Sequence, residues 1–399
     1  MSKYASKKLR LIMTYAASER SIISRLDISS WLRCIFTMCL LVILSACAGP
    51  RNLVGIETEV PVESVAGTSK HTVFIATSRA SSEDPAEFFS GKRVSGLNFA
   101  SVEVSVPPTH RKGEIETPSR APADPRRHFV LNHPRNFHDR RNFQQQLSEY
   151  LMTLPPERRK ILVFVHGYNT NMTSAILQAS QFVEDSGYSG VPLLFSWASN
   201  AKTLEYVYDI NSALVARDHL VSMFETVNLP AVLEYDVVAH SMGTFLVMEA
   251  SRQIVLTTGL NPTRKLKNVV LAAPDIDVDL FGEQIKLFPK DQRNIIVLVS
   301  KDDKALRASR RVAGGVTRLG QASATDISRL GVTAIDLSDV EDEKTLSHSK
   351  FKDSPEVVQQ IGEALKNGNS FNGAPSLSIG QAIAVGVDGT INALTPASH

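Results

Sequence analysis

Ser241 sits among small residues in the stretch Ala239-His240-Ser241-Met242-Gly243. A short apolar run, Tyr235 to Val238, precedes it, and a helical pattern from Thr244 to Ala250 follows. A strand, a sharp turn with a serine at its tip and then a helix make the layout of a nucleophile elbow. So tight a turn needs small side chains two residues before and two after the serine. Gly243 supplies one; Ala239 stands where glycine is more usual, and a single methyl can still fit. The turn would hold the Ser241 hydroxyl open at the carboxyl edge of a sheet and aim the Met242 amide at a developing oxyanion.

A serine hydroxyl is a poor nucleophile near neutral pH. A histidine must take its proton, and a carboxylate must fix the tautomer of that histidine and stabilise the imidazolium. Between the elbow and His399 the only histidine is His348, which makes it the expected base. Candidate acids follow the strands before it: Asp303 and Asp302 after one, Asp275 and Asp277 after another. Asp336 and Asp339 lie too near the strand leading to His348 to be favoured. After an earlier apolar run comes His166-Gly167-Tyr168-Asn169-Thr170, where glycine permits close backbone approach. The Tyr168 amide is the expected second oxyanion donor, and loss of one such donor typically costs about 3 kcal/mol of transition-state stabilisation. His166 and His240 are expected to be structural.

These groups need a scaffold, and the hydropathy pattern describes one. Strands are expected at Thr72–Thr77, Ser101–Val106 and His128–Leu131, with a helix at Asp139–Leu154. From there strands and helices alternate. Ile161–Val165, Val191–Trp197, Tyr235–Val238, Asn268–Ala272, Ile295–Val299 and Val332–Leu337 read as strands. Thr173–Glu184, Leu204–Val227, Gly243–Val255, Phe281–Leu287, Lys304–Val312 and Ser354–Lys366 read as helices. Continuous apolar strands joined by helices imply a mostly parallel, doubly wound α/β sheet with helices on both faces. In such sheets functional groups gather at the carboxyl ends of the strands, where all the candidates above fall. No long insertion follows Ala272, so no large lid is expected, which favours short or medium esters; Leu204–Val227 is expected to line the mouth instead.

Bulk properties narrow the alternatives. The chain has 399 residues, 43% apolar and 21% charged, with a net charge of +2, which describes an ordinary globular protein and not a nucleic-acid binder. All three cysteines, Cys34, Cys39 and Cys47, lie near the start, leaving none for a zinc or disulfide site in the body. His128, His133 and His138 are spaced by five, without helical pairing, and no metal site is expected there.

The amino-terminal segment reads as an address. Lys3, Lys7, Lys8, Arg10 and Arg33 precede the apolar run Cys34–Leu44, short for a membrane span, and Leu44-Ser45-Ala46-Cys47 resembles a bacterial lipobox. That resemblance implies cleavage before Cys47, lipid on its thiol and, with Ala48 following, an outer-membrane location facing the periplasm. The expected organisation is a signal peptide at 1–46, a linker at 47–70, a catalytic domain at 71–366 and a tail at 367–399.

Taken together, the motifs resemble a bacterial group of α/β-hydrolases, the family called domain of unknown function 900, over about residues 71 to 352. The resemblance is carried by Val73–Arg79, Val165–Thr170, Phe195–Trp197, Ala239–Gly243, Ala272–Asp277, Ser300–Leu306 and His348-Ser349. In that pattern the acid falls on Asp303. The resemblance implies an α/β-hydrolase fold and a serine esterase or related hydrolase, without implying a substrate. The resulting expectation is a membrane-tethered hydrolase of small-molecule or lipid esters, using Ser241, His348 and Asp303 with no metal or organic cofactor and no nucleic-acid partner. A non-catalytic binding lipoprotein and an acyltransferase with the same three residues are the alternatives.

Overall fold

The computed structural model describes residues 51–259, 261–341, 347–367 and 377–378. The lipobox, Cys47 and the leader lie outside the described residues, as does most of the segment expected to be a tail. No helix among the described residues is long and apolar enough to cross a membrane.

The buried strands form first-principles pairs. In Ile161–Val165 every residue is buried, and successive side chains point to opposite faces. Val163 and Val165 enter one core with Leu193, Phe195, Val237 and Leu271. Leu162 and Phe164 enter the other with Leu194, Val238 and Val270. A sheet buried on both faces needs helices on both faces, and the sequence supplies them. One core is covered by α1 (Arg140–Met152), α3 (Tyr206–Val227), α4 (Met242–Thr257) and α5 (Val278–Lys286), through residues such as Phe143, Leu220, Leu246 and Phe281. The other is covered by α2 (Met172–Ser186), with Phe182, and by residues that belong to the carboxyl-terminal helices.

The strands are β1 (Ser69–Ser81), β2 (Phe89–Val106), β3 (Val130–Phe137), β4 (Lys160–Val165), β5 (Val191–Ser196), β6 (Glu234–His240), β7 (Leu266–Ala272), β8 (Ile295–Val299), β9 (Thr333–Asp336) and β10 (Leu377–Ser378). Their spatial order is β10-β9-β8-β7-β6-β4-β5-β1-β2-β3. All pairs are parallel except β1 with β2 and β2 with β3. The mostly parallel, doubly wound arrangement expected from the alternation is therefore present, extended at one edge by an antiparallel pair. The last helices are α6 (Lys304–Val312), α7 (Ala324–Ser328), α8 (Lys350–Asp353) and α9 (Pro355–Asn367).

Three differences from the expected elements have simple causes. β2 begins at Phe89, because it twists along β1 through register shifts that interrupt any clean alternation. β3 runs later than expected and contains Pro134, which an edge strand tolerates because its outer N–H groups need no partner. Helix α7 spans only five residues, too few to display a helical period. Leu377–Ser378, inside the expected tail, pair with β9.

The order β5-β4-β6 has a functional consequence. After β4 the chain moves to one side to make β5, then crosses back to make β6 on the other. The loops leaving β4 and β6 diverge there and open a crevice at the carboxyl edge. Val165 and Ala239 are register partners, so the segments beginning at His166 and His240 emerge side by side.

Candidate active site

Ser241 takes φ 53° and ψ −124°, a left-handed conformation that a residue with a Cβ adopts only when its surroundings enforce it. The enforcement is visible in hydrogen bonds. The Ser241 N–H donates to the Ala272 carbonyl at 3.0 Å, and the Ser241 carbonyl accepts from the Thr244 N–H at 3.0 Å and its hydroxyl at 2.6 Å. A methyl on Gly243 would stand 2.4 Å from the His166 carbonyl oxygen, so helix α4 can start this close to β4 only with glycine there. Ala239, the departure from the usual glycine, is fully buried with its methyl accommodated.

Met242 opens α4, and the first N–H groups of a helix have no acceptor within it. Gly167 brings the facing loop against the elbow: a methyl there would lie 2.9 Å from Ser241 Cβ. Beyond Tyr168 the loop amides are occupied, Asn169 N–H by Asp209 Oδ2 at 3.2 Å and Thr170 N–H by Ser199 Oγ at 3.1 Å. The Tyr168 ring meets Tyr206 edge-on at 5.3 Å, and its hydroxyl donates to the Thr203 carbonyl. The start of α3 thus does line the crevice.

The acidic candidates separate by what they touch. Asp303 is fully buried at the N-cap of α6; its Oδ1 accepts the Leu306 N–H at 2.9 Å, and its Oδ2 accepts from His348 Nδ1 at 2.7 Å. That bond puts the proton on Nδ1 and leaves Nε2 as the lone-pair nitrogen. Asp302 turns the other way. It accepts from Lys350 Nζ at 2.9 and 3.0 Å and from the Ser300 hydroxyl. Burial pushes its carboxyl up, but the bonds from Ser300 and Lys350 outweigh that and hold it below its usual range. Asp275 is taken by Arg318 Nε at 2.7 Å, Ser309 Oγ at 2.6 Å and Tyr206 Oη at 2.9 Å. Asp277 caps α5, accepting from the Asp279 and Leu280 amides. Among these four acids, the bond to His348 is made by Asp303.

His348 reaches the elbow through its neighbour. His240 Nε2–H donates to the His348 carbonyl at 3.1 Å, the two rings lie 4.8 Å apart, and His240 also packs on Phe351 at 4.9 Å. No hydrogen bond joins Ser241 to His348 among the described residues. Burial, with the His348 ring adding to it, keeps His240 well below the usual histidine range, so it stays neutral. His240, expected to be structural, supports the loop that carries His348.

The opposite wall contains a feature that sequence reading left without a role. Arg79 is 1% exposed, and all five of its N–H donors are engaged. Nε donates to Ser196 Oγ at 2.8 Å, Nη1 to the Ser199 and Ser90 carbonyls at 2.8 and 3.4 Å, and Nη2 to the Thr170 carbonyl at 2.7 Å and His166 Nε2 at 3.4 Å. Burial lowers its pKa to about 10, with Asp209 the main opposing charge. His166 donates Nδ1–H to the Gly167 carbonyl at 2.9 Å and stacks on Trp197 at 5.1 Å. Burial and the Arg79 charge lower its pKa to about 3, so it is a neutral acceptor there. Arg79, His166 and Asp209 together fix the Gly167–Thr170 loop. Arg79 ends the Val73–Arg79 motif, but nothing in a linear sequence marks a cation as buried, and Asp209 falls inside a helical pattern.

Among the described residues no cluster of three or more His, Cys, Asp or Glu side chains is placed to hold a metal ion. Two cavities of about 330 and 240 Å³, one around Asn268 and Asn294 and one around Tyr235 and Val247, lie toward the amino ends of β6–β8, away from Ser241.

Among solved structures the chain is similar to an esterase of Pyrobaculum calidifontis at 12% identity, covering 84% of this chain and 92% of that one with a TM-score of 0.32. It is similar to a fungal esterase of Rhizomucor miehei at 13% identity, covering 69% and 81% with a TM-score of 0.31. A cutinase-like protein from Cryptococcus sp. is similar at 14% identity, covering 52% and 95% with a TM-score of 0.29. No curated protein matches the chain. The family model for alpha/beta hydrolases of unknown function (DUF900) matches residues 139–364, more than half of the chain and the whole stretch from β4 to β9. The chain therefore belongs to the DUF900 family of α/β-hydrolases of unknown function.

Proposed function

We propose that this protein is a serine hydrolase of carboxylic esters, with Ser241 as nucleophile, His348 as general base and acid, and Asp303 as the carboxylate that orients His348. The observation that carries the reading is the 2.7 Å bond from His348 Nδ1 to an Asp303 carboxylate that is fully buried and held by a helix N-terminus. A buried carboxylate bonded to one nitrogen of a partly exposed imidazole beside a serine elbow is what acyl transfer needs.

In the proposed cycle, Ser241 Oγ attacks the ester carbonyl carbon as its proton passes to His348 Nε2. The oxyanion is held by the Tyr168 and Met242 N–H groups, whose fixed dipoles need no reorganisation. The tetrahedral intermediate collapses with transfer of the His348 proton to the leaving alkoxide. Water then attacks the acyl-enzyme with His348 again as base, releasing the acid and restoring Ser241. A small loop shift brings Nε2 to the hydroxyl, since such bonds are often long before substrate binds. The test is a fluorophosphonate probe together with short p-nitrophenyl esters: wild type is labelled and turns over, and Ser241→Ala does neither. Equal labelling of both would refute the reading.

The proposal extends to location. The lipobox-like Leu44-Ser45-Ala46-Cys47 supports lipid attachment at Cys47 and tethering at the outer membrane, facing the periplasm. Labelled palmitate should enter the wild-type chain and not Cys47→Ser.

A further inference from the structure

Around the candidate site the elements close into a ring. From Asp303, α6 runs to Ser309, whose hydroxyl bonds Tyr206 Oη at 2.8 Å. Tyr206 meets Tyr168, and Tyr168 follows Gly167, which abuts Ser241. The residues that stand outward from this ring are unusual for a mouth open to water. Leu204 is 96% exposed, Val207 66% and Val312 65%. Single exposed apolar side chains are ordinary, but these flank the two elements that the Tyr206–Ser309 bond clamps together. Val316 joins them on the loop after α6.

The same rim is cationic. Helix α6, Lys-Ala-Leu-Arg-Ala-Ser-Arg-Arg-Val, has four basic residues and no acidic one. It buries Leu306 and Ser309 and exposes Arg307, Arg310 and Arg311. Arg307 and Arg310 spend their bonds on backbone carbonyls of Asp302 and Gly315, which leaves their charge uncompensated by those contacts. Three acids near the rim are ion-paired: Glu205 with Lys202 at 3.1 Å, Asp302 with Lys350, and Asp275 with Arg318.

We infer that this rim docks on an anionic lipid surface, the exposed leucine and valines entering the headgroup boundary while the α6 arginines meet lipid phosphates. This deepens the esterase reading and rests on it for the substrate, which becomes a lipid ester taken from the bilayer. Charge complementarity selects the occupant, because apolar tips alone would suit many partners, whereas apolar tips beside an arginine-lined helix suit an anionic interface. The ring also places the surface directly at the mouth, so that an acyl ester could move from bilayer to Ser241 without crossing open water.

Hydrogen exchange on the full chain, with vesicles of phosphatidylcholine alone and vesicles also containing phosphatidylglycerol, tests this directly. Whatever holds the amino-terminal segment to the bilayer, amides at 202–208 and 304–316 should gain protection on the anionic vesicles only, while those around Leu233, at the amino end of β6, should not. The Arg310→Gln, Arg311→Gln double variant should weaken anionic-vesicle binding at the rim by about thirtyfold, two surface cations' worth. Leu204→Asp should reduce protection as well. The arginine double variant should keep the wild-type rate on a soluble short ester and lose rate on a medium-chain ester embedded in anionic vesicles. Equal exchange at the rim in both kinds of vesicle overturns the docking proposal. Wild-type chain that docks but hydrolyses neither ester would instead overturn the esterase reading and leave the docking in place.

Discussion

On the His348 side of Ser241, carboxylates make the bonds: Asp303 bonds His348, and Asp302 bonds Lys350 two residues further along. On the Gly167 side a lone buried guanidinium is satisfied by carbonyls, hydroxyls and a neutral imidazole, with no carboxylate bonded to it. In the proposed mechanism the difference follows from two tasks. A proton shuttle must titrate, so its partner must be an anion that stabilises the charged imidazole. An oxyanion cradle must hold backbone dipoles in fixed positions at any protonation state, so it is built around a cation that never gives up its proton and around groups kept neutral by burial.

The contrast can be broken most sharply on the titrating side. Asp303→Asn should lower kcat on a soluble ester by about 10⁴-fold while the fold survives, because the amide presents the wrong tautomer to His348. Circular dichroism would verify the fold. On the rigid side, Arg79→Met should strand the Thr170 and Ser199 carbonyls, cost about 3 kcal/mol in denaturant unfolding, and lower kcat by about 10²-fold as the Tyr168 amide loses its position. If Arg79→Met left kcat intact while destabilising the fold, the cradle would not depend on that network.

The pH dependence of stability sharpens the comparison next. His166 is lowered to about 3 and His240 well below the usual range, so the unfolded chain binds more protons than the folded one below about pH 6.5. Stability should therefore fall as pH drops from about 6.5 toward 3, by up to about 1.4 kcal/mol per pH unit for each such histidine. His110 should act in the opposite sense. Burial alone would lower it, but its bonds to Asp185 and Glu116 raise it to about 9. Its contribution is complete below about pH 6.5 and lost as pH rises through 9. Urea midpoints across pH, with His110→Gln for the alkaline limb, would test both signs. The smallest effect is expected from Asp302→Asn, which loosens the brace under His348 and should change kcat by less than about tenfold. An effect as large as that of Asp303→Asn would mean that the two neighbouring acids share one role.

Much of this scaffold was legible because it rests on local signals. Apolar runs such as Ile161–Val165 and Ile295–Val299 are short and rich in β-branched residues, which favours strand over helix, and Lys304–Val312 was bounded at the residue, with Asp303 in the N-cap position that aspartate favours. The cradle was less legible. Arg79 and Asp209 lie far apart along the chain and meet through Ser199 and the Asn169–Thr170 loop, so their burial is a product of tertiary packing that no periodicity encodes. The contact between His240 and His348 depends in the same way on a separation of 108 residues.

That long separation bears on how the protein is made. A polypeptide leaving the ribosome amino terminus first completes β4, β6 and the elbow well before His348 and the loop around it have been translated. In the proposed mechanism a nascent chain therefore carries its nucleophile without the base that activates it, and stray acylation during synthesis is suppressed by connectivity alone.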